Sequence, residues 1–325
     1  MDILNLDQLK QLINIEQLIN DLEKGYLLYS EGQVEVPPVG FLNFQDPPGD
    51  VHIKYGYIKQ DDVYVVKIAS GFYNNPQLGI SASDGLLLVF SQQTGKLQSI
   101  LLDECYLTDV RTAVGGAVVA KLLAPSKVSS IGIVGAGVQA KMQLQMLQHV
   151  IDCNKCIVWA RDIKKGEELA EEIRQDASFW PGKLEIEATS DMDYLTDNCN
   201  LIVTTTPAKS PLIMAHQIKP GTHITAMGSD DKGKQELDAA LLVKADILVA
   251  DSKAQCIQYG EMSHGVKNGL IQESEILEMG DLIKDKSLQR TDDAQITIAD
   301  QTGVAVQDIQ IAKMVNTLLK KSKAN

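Results

Sequence analysis

Ser129 to Val150 reads SSIGIVGAGVQAKMQLQMLQHV, a strand, a glycine turn and a helix without interruption. Ile131, Gly132, Ile133 and Val134 are apolar or small on both faces, as a buried parallel strand requires. Gly135, Ala136, Gly137, Val138, Gln139 and Ala140 then form a G-x-G-x-x-A turn. Gly135 permits the sharp turn, Gly137 admits a pyrophosphate close to the backbone, and Ala140 lets helix and strand pack tightly. The anion would sit on free N–H groups at a helix N-terminus. A second strand, Cys156–Ala160, follows at the distance such a unit needs. The stretch therefore predicts dinucleotide binding.

Working outward, strands and helices alternate: CIVWA, GEELAEEIRQDA, LEIEA, NLIVTTT, HITAMG and DILVA. Alternation of this kind predicts a parallel, doubly wound sheet with helices on both faces. Upstream, VEVPPVGFLNF, VHIKYGYIK, DVYVVKIASGFY and GLLLVFSQQTGKLQSILL between Val34 and Leu102 show the period of antiparallel strands, with a turn at Gln93-Thr94-Gly95. One amphipathic helix is expected over about Asp7 to Ser30, and the spacing turns helical again over Leu107 to Leu123. Near the end, AQITIADQTGVAVQDIQIAKMVNTLLKK gives a strand and a long helix, and the helix is expected to return to the N-terminal domain. The fold class is thus α/β, a Rossmann-type parallel sheet at 121–295 inserted in a second α/β domain at 1–120 plus 296–325.

Composition narrows the function. With 30 Lys and Arg against 43 Asp and Glu, the net charge of −13 repels nucleic acid and anionic membrane surfaces. The N-terminus carries acidic residues and helical apolar spacing where a signal peptide needs a positive start, and no run approaches the roughly 18 apolar residues of a membrane span. Five scattered cysteines fit a reducing, cytoplasmic setting. Cys153-Asn-Lys-Cys156 lacks a second ligand pair, and His149, His216, His223 and His264 lack ligand spacing, so no metal is expected.

Lys67 in VVKIASGFYNN, Thr94-Gly95 in QTGKLQSILLD, LTDVRTAVGGA around Arg111, VGAGVQA, and MGSDDKGKQELD around Asp230 together resemble, in order and spacing, the ornithine cyclodeaminase/mu-crystallin family. The resemblance covers nearly the whole chain. It implies a Rossmann domain inserted in a substrate domain, homodimers formed through the substrate domain's sheet, and NAD(P)-dependent chemistry at carbon–nitrogen bonds α to a carboxylate. Ornithine cyclodeaminases, ketimine reductases and some alanine dehydrogenases belong to it.

Each residue carries a plainer reading beside that one. By pattern alone Lys67 is an edge lysine that snorkels its stem; the resemblance makes it a partner of the substrate carboxylate or of the reacting nitrogen. Arg111 could merely bridge to Asp109 or Asp103, yet residues 1–110 contain no arginine, so only Arg111 can hold a carboxylate bidentately from this domain. Asp230 could cap a helix; the resemblance makes it the acid–base group that exchanges a proton with the imine nitrogen. Beyond VWA, Arg161 suits a 2′-phosphate and Asp162 a free ribose, and NADP is favoured over NAD. Thr204, Thr205 and Thr206, with Met227 and Gly228 after HITA, are expected to flank the nicotinamide ribose. His52 and Lys54 share one strand face, where ornithine-using relatives place an acid, and Gly40 stands where they place an arginine. Reduction of a small imino acid, first of all Δ1-pyrroline-2-carboxylate, is therefore favoured over cyclising deamination of a diamino acid, and over a crystallin-like binding role without catalysis.

Overall fold

The computed structural model describes residues 1–324, which fall into two compact units: Met1–Arg111 with the chain from Ala305 onward, and Thr112–Val304. No helix among the described residues is long and apolar enough to cross a membrane.

The first unit begins with β1 (Asp2–Leu4), α1 (Leu6–Leu12) and α2 (Ile15–Ser30). Strands β2 (Val34–Glu35), β3 (Gly40–Gln45), β4 (Pro48–Ile58), β5 (Val63–Phe72), β6 (Ser83–Ser91) and β7 (Leu97–Leu101) follow, then α3 (Tyr106–Leu123). The single N-terminal helix expected from periodicity is two helices. The first stops at Leu12 with extended Ile13 as its C-cap, and Asn14 caps the second, its side chain accepting the Gln17 N–H at 2.8 Å, because Asn satisfies orphan donors better at a cap than inside a helix. The sheet runs β1-β7-β6-β5-β4-β2 with β3 also on β4, antiparallel except for β1 on β7. Val63, Val65 and Lys67 alternate onto the buried face of β5, so Lys67 continues an apolar row.

In the second unit the first half runs β8 (Ile131–Val134), α4 (Val138–Leu147), β9 (Lys155–Trp159), α5 (Ile163–Gln175), β10 (Glu185–Thr189), α6 (Met192–Asn198) and β11 (Leu201–Thr204). The second half runs β12 (Lys209–Ile213), β13 (His223–Ala226), β14 (Gln235–Leu237), α7 (Ala239–Lys244), β15 (Ile247–Ala250), α8 (Lys253–Gln258), α9 (Met262–Lys267), β16 (Ile276–Glu278), α10 (Met279–Lys284) and β17 (Thr297–Asp300). The main sheet is parallel throughout, in the order β10-β9-β8-β11-β13-β17-β15-β16. The chain winds one way from β8 and the other way from β11, so the crevice for a ligand opens at the C-terminal ends of these neighbours. Apolar residues fill both faces: Leu201 and Val203 join one core with Ile131, Ile133 and Val158, and Ile202 joins the other with Ile224, Leu248 and Ile298.

Strand β17 lies between β13 and β15, pairing Ile298 with both Ile224 and Leu248. The border expected at 296 thus falls later: Ile296 and Ile298 belong to the parallel sheet's core, and the return to the first unit starts with α11 (Ala305–Ala324). That helix packs on α2, β4, β5 and β6 of the first unit.

Candidate functional site

In the first unit β5, α3 and α11 bring three charged side chains into one buried cluster. Lys67 is 2% exposed, Arg111 in α3 is 4%, and Asp308 in the first turn of α11 is 2%. Asp308 Oδ1 accepts from Lys67 Nζ at 3.1 Å and from Arg111 Nε at 2.9 Å. Its other oxygen, Oδ2, is buried without a hydrogen-bond partner. Arg111 Nη1 also donates to Gln307 Oε1 at 2.6 Å, and Gln307 Nε2 donates in turn to the Tyr26 hydroxyl. The bridge from Arg111 to Asp109 or Asp103 that the sequence allowed is replaced by this contact, because α11 supplies a carboxylate from 197 positions away.

Burial, then the adjacent Arg111 guanidinium, lowers the Lys67 ammonium to about 7, against the opposing pull of Asp308. For Asp308 burial pushes upward, but Arg111, Lys67 and Lys54 outweigh it and hold the carboxyl below its ordinary value. Lys54 is the cross-strand Cα partner of Lys67, which puts a third cation on the same sheet face. His52 is next on that face, with Nε2 3.3 Å from Asp50 and its ring against Phe41. Asp103, whose Oδ2 accepts the Leu107 N–H at 2.9 Å, is raised to about 6 by burial.

The second unit presents the glycine turn. Gly135 has φ +127°, and a Cβ there would lie 2.5 Å from Thr205 Oγ1. Its N–H donates to Trp159 O at 2.8 Å, which ties the turn to the end of β9. Gly137 is the N-cap of α4 and offers no side-chain cap, and a Cβ on it would meet nothing within 4 Å. Val138 is 62% exposed and Ala140 1%. An open, uncapped helix start above a glycine fits a pyrophosphate. Beyond β9, Arg161 and Asp162 are both exposed, and Asp162 caps α5 by accepting the Lys164 N–H at 3.2 Å.

Next to the turn, the threonines are held by a residue that sequence reading did not single out. Glu236, fully buried on β14, accepts from the Thr204 hydroxyl at 2.6 Å, the Thr206 N–H at 2.6 Å and hydroxyl at 2.7 Å, and the Gly228 N–H at 2.9 Å. A Cβ on Gly228 would lie 2.1 Å from Thr206 O, so glycine is required for the two strand ends to meet. Met227 is buried beside it. Glu261 receives the Glu236 and Leu237 N–H groups, and burial, then Asp300, raises it to about 9. Asp300 accepts the Met262 N–H at 2.9 Å and is raised by burial to about 8. Asp230, by contrast, is exposed and pairs with Lys234 at 2.5 Å.

The signals for the missed residues were faint but present. Between Val304 and Val315 Asp308 is the sole acid among apolar residues, glutamines and one lysine, and Glu236 sits inside GKQEL where an apolar residue would suit β14 better.

Comparison with known proteins now decides the family. The profile of the ornithine cyclodeaminase/mu-crystallin family matches residues 1–323. The chain belongs to that family. A cyclodeaminase of Sinorhizobium fredii, itself uncharacterised, is 39% identical over 317 residues, 97% of this chain and 94% of its own. A Δ1-pyrroline-2-carboxylate reductase of Bacillus cereus is 28% identical over 315 residues, 96% of this chain and 95% of its own. Among solved structures, the iminosuccinate reductase of Paracoccus denitrificans in complex with NAD+ superposes with a TM-score of 0.88 at 29% identity, covering 99% of this chain and 97% of that one.

Proposed function

We propose that this member of the family is an NAD(P)H-dependent reductase of a small ketimine bearing an α-carboxylate, with Δ1-pyrroline-2-carboxylate, reduced to proline, as first candidate. The observation that carries it is the pair of buried cations, Lys67 and Arg111, beside a third, Lys54. An anionic substrate group repays their desolvation, and a fork of guanidinium donors suits a carboxylate. The bound nicotinamide supplies a hydride to the imine carbon. The glycine turn from Gly135 to Ala140 holds its pyrophosphate, and NADP is favoured by Arg161 beyond β9. Lys67 and Arg111 hold the carboxylate so that the imine carbon has one orientation, and such positioning accounts for much of the rate. Asp230, as the neutral acid, gives the nitrogen its proton while the hydride reaches the imine carbon, and Lys234 is placed to pair with the carboxylate left behind.

Lys54 argues against a diamino acid, whose distal ammonium it repels, and so against a cyclodeaminase. It favours instead a neutral ring or a second acid group. The test follows NADPH and NADH consumption with Δ1-pyrroline-2-carboxylate, iminosuccinate and pyruvate plus ammonia. Turnover that Asp230→Asn lowers by about 10²–10⁴-fold supports the reading. Ammonia release from ornithine with no net change in the cofactor would overturn it.

The partner we propose is a second copy of the chain, meeting through the first unit's sheet. Tyr55 and Tyr57, each 39% exposed, line its outer face with Tyr64. Sedimentation should show a dimer that Tyr57→Glu dissociates.

A further inference from the structure

We infer that Asp308 is the positioning residue of the carboxylate clamp: one oxygen holds Lys67 and Arg111 side by side. The inference rests on the reading of Lys67 and Arg111 as the substrate's carboxylate partners. Two cations approaching one another inside a protein repel, and neither has another carboxylate at salt-bridge distance among the described residues. Oδ1 alone bridges them, at 3.1 and 2.9 Å. Gln307, the preceding residue, fixes the far side of the Arg111 fork and is itself held by Tyr26 of α2. One turn of α11 therefore sets both the angle of the guanidinium and the place of the ammonium. Oδ2 is buried without a hydrogen-bond partner among the described residues, so the contacts of this side chain run through Oδ1.

The charged and titratable groups facing Lys67 are Arg111 from α3, Lys54 from β4, Asp103 and Cys105 from the segment before α3, and Asp308 from α11. Burial, then Arg111 and Lys54, drives its proton off, and Asp308 opposes them. Without Asp308 the ammonium titrates at still lower pH, and the clamp loses that charge earlier on the alkaline side. The dependence of kcat/KM on pH reports groups of the free enzyme, so the effect is readable there.

The experiment compares the wild type with Asp308→Asn, Asp308→Glu and Lys67→Arg. In Asp308→Asn the alkaline fall of kcat/KM should move toward acid by about one pH unit, a tenfold deficit on that limb, through KM more than kcat. Asp308→Glu should restore most of it, and Lys67→Arg, which does not titrate, should abolish that limb. A loss in Asp308→Asn that is uniform across pH, or an alkaline limb unchanged in Lys67→Arg, would overturn the inference. NMR titration of ¹³Cε-labelled lysine, with the Lys67 signal assigned by its absence in Lys67→Arg, reads the same shift without turnover. It therefore stands even where no imine is reduced, and an unmoved Lys67 signal in Asp308→Asn refutes the inference alone. If Asp308→Asn does not fold, Asp308→Glu and Lys67→Arg decide it by whether the limb is kept in the first and lost in the second.

Discussion

The two units bury ionisable groups in opposite ways. In the first, Asp308 is held as a carboxylate between Lys67 and Arg111, and the cations outnumber it. In the second, Glu261 and Asp300 are pushed to about 9 and about 8, so they carry protons at neutral pH. Their partners are backbone N–H groups on β14 and α9. A paired charge can be handed to a ligand, whereas a protonated acid only braces what surrounds it. The contrast separates a cluster with a cation to spare from one braced by backbone donors, though both are buried.

Removing one partner from the first cluster should show the largest effect. Arg111→Met leaves Asp308 with Lys67 alone, and stability to urea should fall by about 3–5 kcal/mol. Gly228→Ala attacks the brace instead, driving a methyl into Thr206 O; a loss of about 1–3 kcal/mol is expected, with weaker dinucleotide binding by calorimetry. Glu236→Gln keeps the shape but turns a donor toward groups that already donate, and should cost about 1–3 kcal/mol. Asp300→Asn imitates the protonated acid, so at pH 7 its melting temperature should shift by an amount worth less than about 1 kcal/mol.

The sign of the pH dependence sharpens the comparison further. Asp300 has a folded pKa raised from 3.8 to about 8, so its contribution is complete below 3.8 and is lost as pH rises toward 8. Asp308 is lowered, so its contribution is present above the ordinary value and is lost as pH falls. Urea titrations should therefore find Asp300→Asn gaining on the wild type as pH rises from 5 to 8.5, while the deficit of Asp308→Asn narrows only as pH falls below 3.8. Parallel trends in the two variants would show that the clusters are alike after all.

Much of this was legible in one dimension, because local patterns record local physics. The G-x-G-x-x-A turn, the apolar strands beside it and the period of β4 to β7 all report contacts between near neighbours in sequence. Asn14 was readable too, as a residue that caps better than it continues, but an unbroken apolar period concealed it. What stayed hidden depends on long reach. Strand β17 enters the sheet beside β13 after seventy intervening residues, and nothing in ITIAD names its neighbour. Arg111 announced itself by scarcity, yet its partner at Asp308 lies beyond an entire inserted unit. The roles expected of Lys67, Asp230 and Arg161 came from resemblance, since a charge on a strand or loop looks the same whether it serves a ligand or solvent.

The late arrival of α11 also has a meaning for the chain as it leaves the ribosome. Strands β1 to β7 and α2 emerge early, but the helix that covers them is made only after Thr112–Val304 has been synthesised. The inserted unit has every strand of its parallel sheet in hand by Asp300 and can fold as a block. The older part must wait with an apolar sheet face and two uncompensated cations open to water. Biogenesis is then expected to run inside out: the middle of the gene matures first, and the first hundred residues become native last. Ribosome-stalled chains ending near residue 304 should show a protease-resistant core from the middle of the sequence and a cleavable N-terminal third.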